Sequence, residues 1–341
     1  MQFRSRHWDR HGDGGLAFTE LGMGTAPLAN LYQAVSDEDA QAALDAAWAG
    51  GVRVFDTAPL YGLGLAETRL NRFLRGKPRD EYVLSSKVGR LLRPCPPEAR
   101  TGIGKFFDVP NRVEVYDYTY DGIMRSFEHS LERLGVERLD VAFVHDIDVV
   151  NHGSWAAVQG RLAELMHGGY RALLRLRDEG SIRAFGAGLN EWEICAWLME
   201  RGDFDIFLLA GRYTLLEQES LEGFMNPARA RGVGVVIGGP YNSGILATGA
   251  RPGAYFNYEP APPAVMEKVA RIEAVCARHD VRLVDAAFQF PLRHEAVLTM
   301  IPGGKNAAEV QANIRAAHAT IPVALWDELK AEGLIAAAAP V

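Results

Sequence analysis

Short runs of β-branched and apolar residues alternate along the chain with longer stretches whose apolar positions recur every three or four residues. That is the pattern of repeated strand–helix units with parallel strands. Eight runs read as strands: LGMGT near 21, VRVFD near 52, YVLSSK near 82, LDVAFVH near 139, IRAFGAG near 182, FDIFLLA near 204, VGVVIGG near 233 and VLTMIPG near 297. The first helix has Ser36 as cap with Asp39 three residues on, and Ala40, Ala43, Leu44, Ala47 and Trp48 along one face. Another is expected from about Asp121 to Leu134, with Ile123, Phe127, Leu131 and Leu134 inward and Gly135 ending it. Further helices fit at about 155–179, 191–201, 219–231, 264–279 and 307–317.

No linker rich in proline, glycine or serine divides the chain. The expectation is therefore α/β, a single (β/α)8 TIM barrel domain over residues 1–341. Residues 1–20 form an N-terminal β-hairpin turning at HGDGG, placed to plug the barrel floor, and 320–341 a C-terminal helix and tail. From Gly89 to Tyr118 a long loop follows strand three, and a loop of that size without regular structure of its own is usually functional.

Composition excludes several classes. Charged residues make up 23% against 48% apolar, which supports a sizeable core rather than disorder. The formal charge of −7, with no basic tail, gives no reason to expect a nucleic-acid partner. The opening MQFRSRHWDRHGDGG lacks the apolar core of a secretory signal, and no apolar run is long enough to span a membrane, so a cytoplasmic location is expected. Cys95, Cys195 and Cys276 are widely spaced and odd in number, which suggests free thiols and no cysteine-based metal site.

In barrels of this kind the chemistry collects at the carboxyl ends of the strands. Asp56 ends the second strand, Lys87 the third and His145 the fourth, while Tyr61 follows the second on its loop. Singly these residues read as a loop cap, a rim charge, a buried histidine and a packing aromatic. Together they form one compact site. A phenol beside an ammonium is expected to lose its proton more easily, so Lys87, kept charged by Asp56, would make Tyr61 a general acid or base. His145 would donate a hydrogen bond to the substrate oxygen.

These residues carry a resemblance. FDTAPLYGLGLAETRLNRFL, YVLSSKVG, LDVAFVHD, RYTLLEQ and IPGGKNAAEVQANI are similar to the blocks of the aldo-keto reductase family over about residues 15 to 320. The resemblance implies Asp56, Tyr61, Lys87 and His145 as a catalytic tetrad, with hydride transfer to or from a nicotinamide cofactor, NAD or NADP, and no metal. SKVGRLLRP and LLAGRYTLLEQ look most like the branch containing D-threo-aldose 1-dehydrogenases, among them L-fucose dehydrogenase, with L-galactose and pyridoxal 4-dehydrogenases nearby. That implies oxidation of the anomeric hydroxyl of a free sugar, such as L-fucose, D-arabinose or L-galactose, to a lactone with Tyr61 as base. Pyridoxal oxidation and general aldehyde or ketone reduction are the alternatives.

By the same resemblance, cofactor contacts fall on Gly24, Thr25, Asp56, Asn190, Gly239, Pro240, Asn242, Gly303, Gly304, Lys305, Glu309 and Asn313. Glu309 stands where phosphate-preferring members commonly carry arginine; a carboxylate repels a 2′-phosphate and can accept from a 2′-hydroxyl, which favours NAD. Ala210 and Gly238 replace the glutamine and tyrosine that many members pack on the nicotinamide. The substrate, a small sugar or aldehyde, is expected to meet Tyr61, Lys87, His145, Asp146, Arg90 and Tyr241, with Arg93, Phe106, Phe107, Tyr116 and the segment 255–258 as further candidates. A homo-oligomer is left open. Competing classes are a Schiff-base barrel enzyme using Lys87, a cofactor-binding regulatory subunit without turnover, and, less well supported for want of a histidine pair, a metal hydrolase.

Overall fold

The structure, a computed structural model, describes residues 3–12 and 14–341; Asp13, in the expected hairpin turn, lies outside the described residues. In chain order the strands are β1 (Ser5–Trp8), β2 (Leu16–Thr19), β3 (Met23–Gly24), β4 (Val54–Asp56), β5 (Val83–Val88), β6 (Arg90–Pro94) and β7 (Arg112–Tyr116). They continue with β8 (Val141–His145), β9 (Ala184–Leu189), β10 (Ile206–Ala210), β11 (Gly234–Gly238), β12 (Tyr255–Phe256), β13 (Glu259–Pro260) and β14 (Val297–Ile301). All eight expected barrel strands form, joined in the order β3-β4-β5-β8-β9-β10-β11-β14 with parallel pairing throughout. Isolated parallel bridges from Leu21 to Met300 and from Gly24 to Gly303 bring the first and last strands together. The sheet is a nearly closed (β/α)8 barrel.

Why these runs make a barrel is visible in their burial. Every residue of β4, β5, β8, β9 and β11 is buried, as expected for strands covered on one face by helices and on the other by the barrel's own interior. Val54, Val83, Val141, Phe143, Ala184, Ile206, Leu208, Val236 and Leu298 fill the inside. Trp8, Leu16 and Phe18, from the antiparallel β1–β2 hairpin, join that same cluster and seal the floor.

The helix at Asp37–Ala49 starts on Ser36, whose hydroxyl accepts from the Asp39 N–H, and buries Ala40, Ala43, Leu44 and Ala47. The helix at Tyr120–Leu134 ends on Gly135 at φ +65°, where a side chain would be strained. Helices at Leu65–Leu74 and Leu283–Gln289 were not anticipated. The helix expected over 155–179 contains a wider turn at Leu165–Gly169. Its glycines let the neighbouring chain approach: a Cβ on Gly169 would stand 2.4 Å from the Tyr118 carbonyl oxygen.

The long segment after β5 departs from expectation. It is not an irregular loop, because β6 and β7 pair as an antiparallel ribbon in which Arg90 faces Tyr116 and Leu92 faces Glu114. The ribbon stands on the carboxyl rim of the barrel and carries Arg90 and Glu114 toward its mouth.

Candidate active site

Strand register assembles the site. Asp56 pairs with Ser85 across β4 and β5, and side chains two apart on a strand share a face, so Lys87 lands beside Asp56. The Lys87 Nζ donates to Asp56 Oδ2 at 2.7 Å and to the Thr57 carbonyl at 2.9 Å, while Ser85 Oγ donates to Asp56 Oδ1 at 2.7 Å. Gly188 on β9 lies against the lysine stem, where a Cβ would make an ordinary contact 3.4 Å from Lys87 Cε. Burial works against the ammonium, but Asp56 and the Tyr61 phenol more than offset it, and Lys87 holds its proton above the ordinary lysine value. A lysine so held is no Schiff-base nucleophile, which needs a free amine.

Tyr61 sits in a short helical turn at Tyr61–Gly64 that continues into the helix at Leu65–Leu74. Its ring centre lies 4.8 Å from Lys87 Nζ and 6.0 Å from the His145 ring, which meets it edge-on. The four residues therefore do converge. The expected acidity of the phenol does not follow, however. Burial is the largest influence and raises the Tyr61 pKa above the ordinary tyrosine range; Lys87 pulls it down but is outweighed, with Asp56 and Asp146 adding to the rise. Tyr61 is thus a phenol at neutral pH, suited as it stands to give a proton and able to take one only after losing its own.

His145 ends β8 and is buried, and burial, followed by the charges of Arg90 and Lys87, holds its pKa well below the usual histidine value. It is a neutral imidazole. Its Nε2 lies 3.3 Å from Asp146 Oδ2, and its buried Nδ1 has no partner among the described residues. Tyr118 Oη donates to the His145 carbonyl at 2.9 Å and so fixes the strand end from behind.

Next to His145 stands a charge cluster. Arg90, 1% exposed, donates through Nη1 to Glu114 Oε2 at 2.7 Å and through Nη2 to Asp146 Oδ2 at 2.5 Å, and its guanidinium covers the Tyr116 ring at 4.8 Å. Of the other substrate candidates, Arg93 is exposed on the ribbon, Phe107 is exposed, and Phe106 is buried in a bridge with Leu31. Tyr255 and Tyr258 are exposed on the β12–β13 hairpin. The Tyr241 hydroxyl donates to Asn313 Oδ1 at 3.0 Å, which ties it to the helix at Ala307–Ala317.

The residues expected to meet a dinucleotide lie at the strand ends β3, β9, β11 and β14. Asn190, just past β9, is half-buried and its side chain has no hydrogen bond among the described residues. Gly24 and Gly303 pair by backbone alone, Gly304 follows in a buried turn, and Gly239 at φ +52° leads β11 out under Pro240. Two expected contacts are already committed to the protein. Asn242 accepts from Thr214 Oγ1 and donates to Gly211 O and Glu217 Oε2, and Thr25 Oγ1 donates to the Asp56 carbonyl, so these side chains shape the site from behind. Asn313 is likewise tied, donating to Gly303 O at 3.2 Å.

The helix at Ala307–Ala317 opens with fewer free N–H groups than expected. Asn306 Oδ1 accepts from Glu309 N at 2.9 Å, and Glu309 Oε2 accepts from Lys305 N at 3.0 Å, in the manner of a capping box. Glu309 is a structural cap, with its other oxygen 3.6 Å from Lys305 Nζ. Ala210 and Gly238 face each other across β10 and β11, as the sequence suggested.

Sequence reasoning missed Ser85, Glu114 and Tyr118. Ser85 could have been found, since it lies two residues before Lys87 on the same face of β5. Far from the rim, His11, Asp203 and Asp205 also bring ligand atoms together, but Arg10 and Arg177 already bond these carboxylates.

No helix of the described chain is long and apolar enough to cross a membrane. Residues 20–332 match the Aldo/keto reductase family. The chain is 43% identical over 335 residues to a pyridoxal 4-dehydrogenase of Microbacterium luteolum, covering 94% of this chain and 96% of that protein. It is 39% identical over 326 residues to a D-threo-aldose 1-dehydrogenase of a Pseudomonas species, covering 94% and 96%. The solved holo form of an aldo-keto reductase from Bacillus halodurans superposes with a TM-score of 0.74 over 99% of this chain and 98% of that one, at 23% identity. The chain belongs to the aldo/keto reductase family and is an NAD(P)-dependent oxidoreductase.

Proposed function

We propose that the protein oxidises a cyclic hemiacetal to a lactone, with a free aldose in its pyranose form as substrate. The observation that carries this reading is the convergence of Tyr61, the Lys87–Asp56 pair and neutral His145 beside a flank crowded with hydrogen-bond acceptors. The bound nicotinamide would accept the hydride from the carbon bearing the free hydroxyl. Tyr61 as phenolate takes that hydroxyl's proton, Lys87 stabilises the phenolate, Asp56 keeps Lys87 charged, and His145 donates through Nε2 to the reacting oxygen. In the reverse direction the Tyr61 phenol returns the proton. The pyridoxal reading keeps its place for one reason: a benzylic hydroxyl beside an aldehyde closes to the same kind of cyclic hemiacetal, and a pyridoxal 4-dehydrogenase is 43% identical.

Because Tyr61 is held as phenol, oxidation is expected to speed up as pH rises toward its raised pKa, and reduction to slow. Assaying reduced nicotinamide with a panel of aldoses and pyridoxal over a pH series tests both points. Oxidation that is fastest in acid, or no turnover with any of these substrates, defeats the proposal.

We further propose NAD as the cofactor, with Asn190 on the carboxamide and the segment Gly303–Glu309 at the adenosine half. Glu309→Arg is expected to raise the NADP-to-NAD ratio of kcat/KM by roughly tenfold, since it replaces repulsion of a phosphate with attraction. An unchanged ratio would mean that Glu309 is only a helix cap.

A further inference from the structure

The cluster at Arg90 has an imbalance. One guanidinium serves two carboxylates, Glu114 and Asp146, and donates also to Asn151 Oδ1 at 3.3 Å. Arg90 is buried and brings a single positive charge, so the cluster keeps a surplus negative charge and more acceptor sites than donors. Within Asp146 the split is sharper. Its Oδ2 takes the Arg90 hydrogen bond and lies against His145 Nε2, whereas Oδ1 accepts no hydrogen bond among the described residues, although the side chain is only 17% exposed. The residue is held at φ +46°, a left-handed conformation that aspartate and asparagine tolerate better than most side chains, and its N–H donates to the Gly188 carbonyl at 3.0 Å.

From this geometry we infer that Asp146, clamped by Arg90, determines specificity by accepting a hydrogen bond from the hydroxyl on the carbon adjacent to the reacting one. The inference rests on the hemiacetal reading above and narrows it to α-hydroxy hemiacetals. The nitrogen assigned to the reacting oxygen, His145 Nε2, is 3.3 Å from the carboxylate. Oxygens on neighbouring carbons of a pyranose ring stand about a hydrogen bond apart, so a sugar whose anomeric oxygen meets His145 brings its 2-hydroxyl to Asp146. A ligand offering only acceptors there would place lone pairs against a carboxylate and leave it unpaired. Burial pushes the Asp146 pKa up to about 6; Arg90 and Lys87 oppose that rise while Asp148 and Glu114 add to it, and the group remains ionised at neutral pH.

The test compares an aldopyranose turned over by the enzyme with its 2-deoxy counterpart, in the wild type and in Asp146→Asn, which suits the same backbone conformation. The wild type is expected to favour the 2-hydroxy sugar in kcat/KM by roughly 10- to 100-fold, the size of one hydrogen bond to a charged acceptor. In Asp146→Asn the ratio of kcat/KM for the 2-hydroxy over the 2-deoxy sugar should fall toward one, with the loss on the 2-hydroxy sugar appearing in KM, whatever common change the variant makes on both sugars through His145 and Tyr61. Equal loss on both sugars would mean that Asp146 only supports His145, and equal use of both by the wild type would also overturn the inference without touching the hemiacetal reading. The wild-type comparison stands even if the variant does not fold. Turnover of pyridoxal with no turnover of either sugar would remove the aldose reading itself, and this inference with it.

Discussion

Tyr61→Phe is expected to lower kcat by about 10³-fold, within the usual range for losing a positioned proton-transfer group, while dinucleotide affinity stays within about threefold. The separation of the two effects follows from position. The Tyr61 hydroxyl belongs to the cluster with Lys87 and His145, whereas the proposed dinucleotide contacts lie on the flank of Asn190 and Gly303. The phenylalanine ring keeps the packing and the edge-on contact with His145, so the fold should be unaffected. Steady-state turnover set beside a fluorescence titration with the reduced dinucleotide makes the comparison. Retained turnover would remove Tyr61 as the proton-transfer group, and a parallel loss of cofactor binding would show that the ring does more than hold a hydroxyl.

Lys87→Met should cost stability as well as activity. It leaves Asp56 buried and charged, its remaining partner the Ser85 hydroxyl, and breaking a buried pair in this way costs about 3–5 kcal/mol. The pH dependence has a definite sign. Lys87 holds its proton above the ordinary lysine value in the folded protein, so its contribution is complete at neutral pH and is lost only as pH rises through that raised value. Urea denaturation of wild type and variant should therefore show a gap that is constant from neutral pH into the mildly alkaline range and narrows beyond it. A difference under about 1 kcal/mol at neutral pH would mean that the pair is solvated rather than buried.

The barrel was legible because each of its strands is a compact apolar run, several of them stopping at a polar rim residue, and because no segment breaks the alternation with helices. Asp56, Lys87 and His145 were readable for the same reason: a strand end is a place, and three ends in succession define a neighbourhood. The β6–β7 ribbon was not readable. RVEVY alternates as a strand should, but its partner RLLRP lies beyond the excursion 95–111, and only the pairing reveals that Arg90 and Glu114 act together. The sign of the Tyr61 shift was also out of reach, because the sequence displays the neighbouring ammonium but not the dehydration that opposes it. That the Asn242 and Thr25 side chains are held by hydrogen bonds within the protein was equally out of reach, because the groups they bond lie far along the chain.

The seam of the cylinder has a consequence for how the protein is made. Leu21 and Gly24 find their neighbours at Met300 and Gly303, near the far end of the chain. During synthesis at ~5–20 residues per second, the earliest strand emerges on the order of tens of seconds before the one that covers its edge. Until then the nascent polypeptide presents an unsatisfied backbone ladder, so the expected hazard in overproduction is association between unfinished copies rather than between mature molecules.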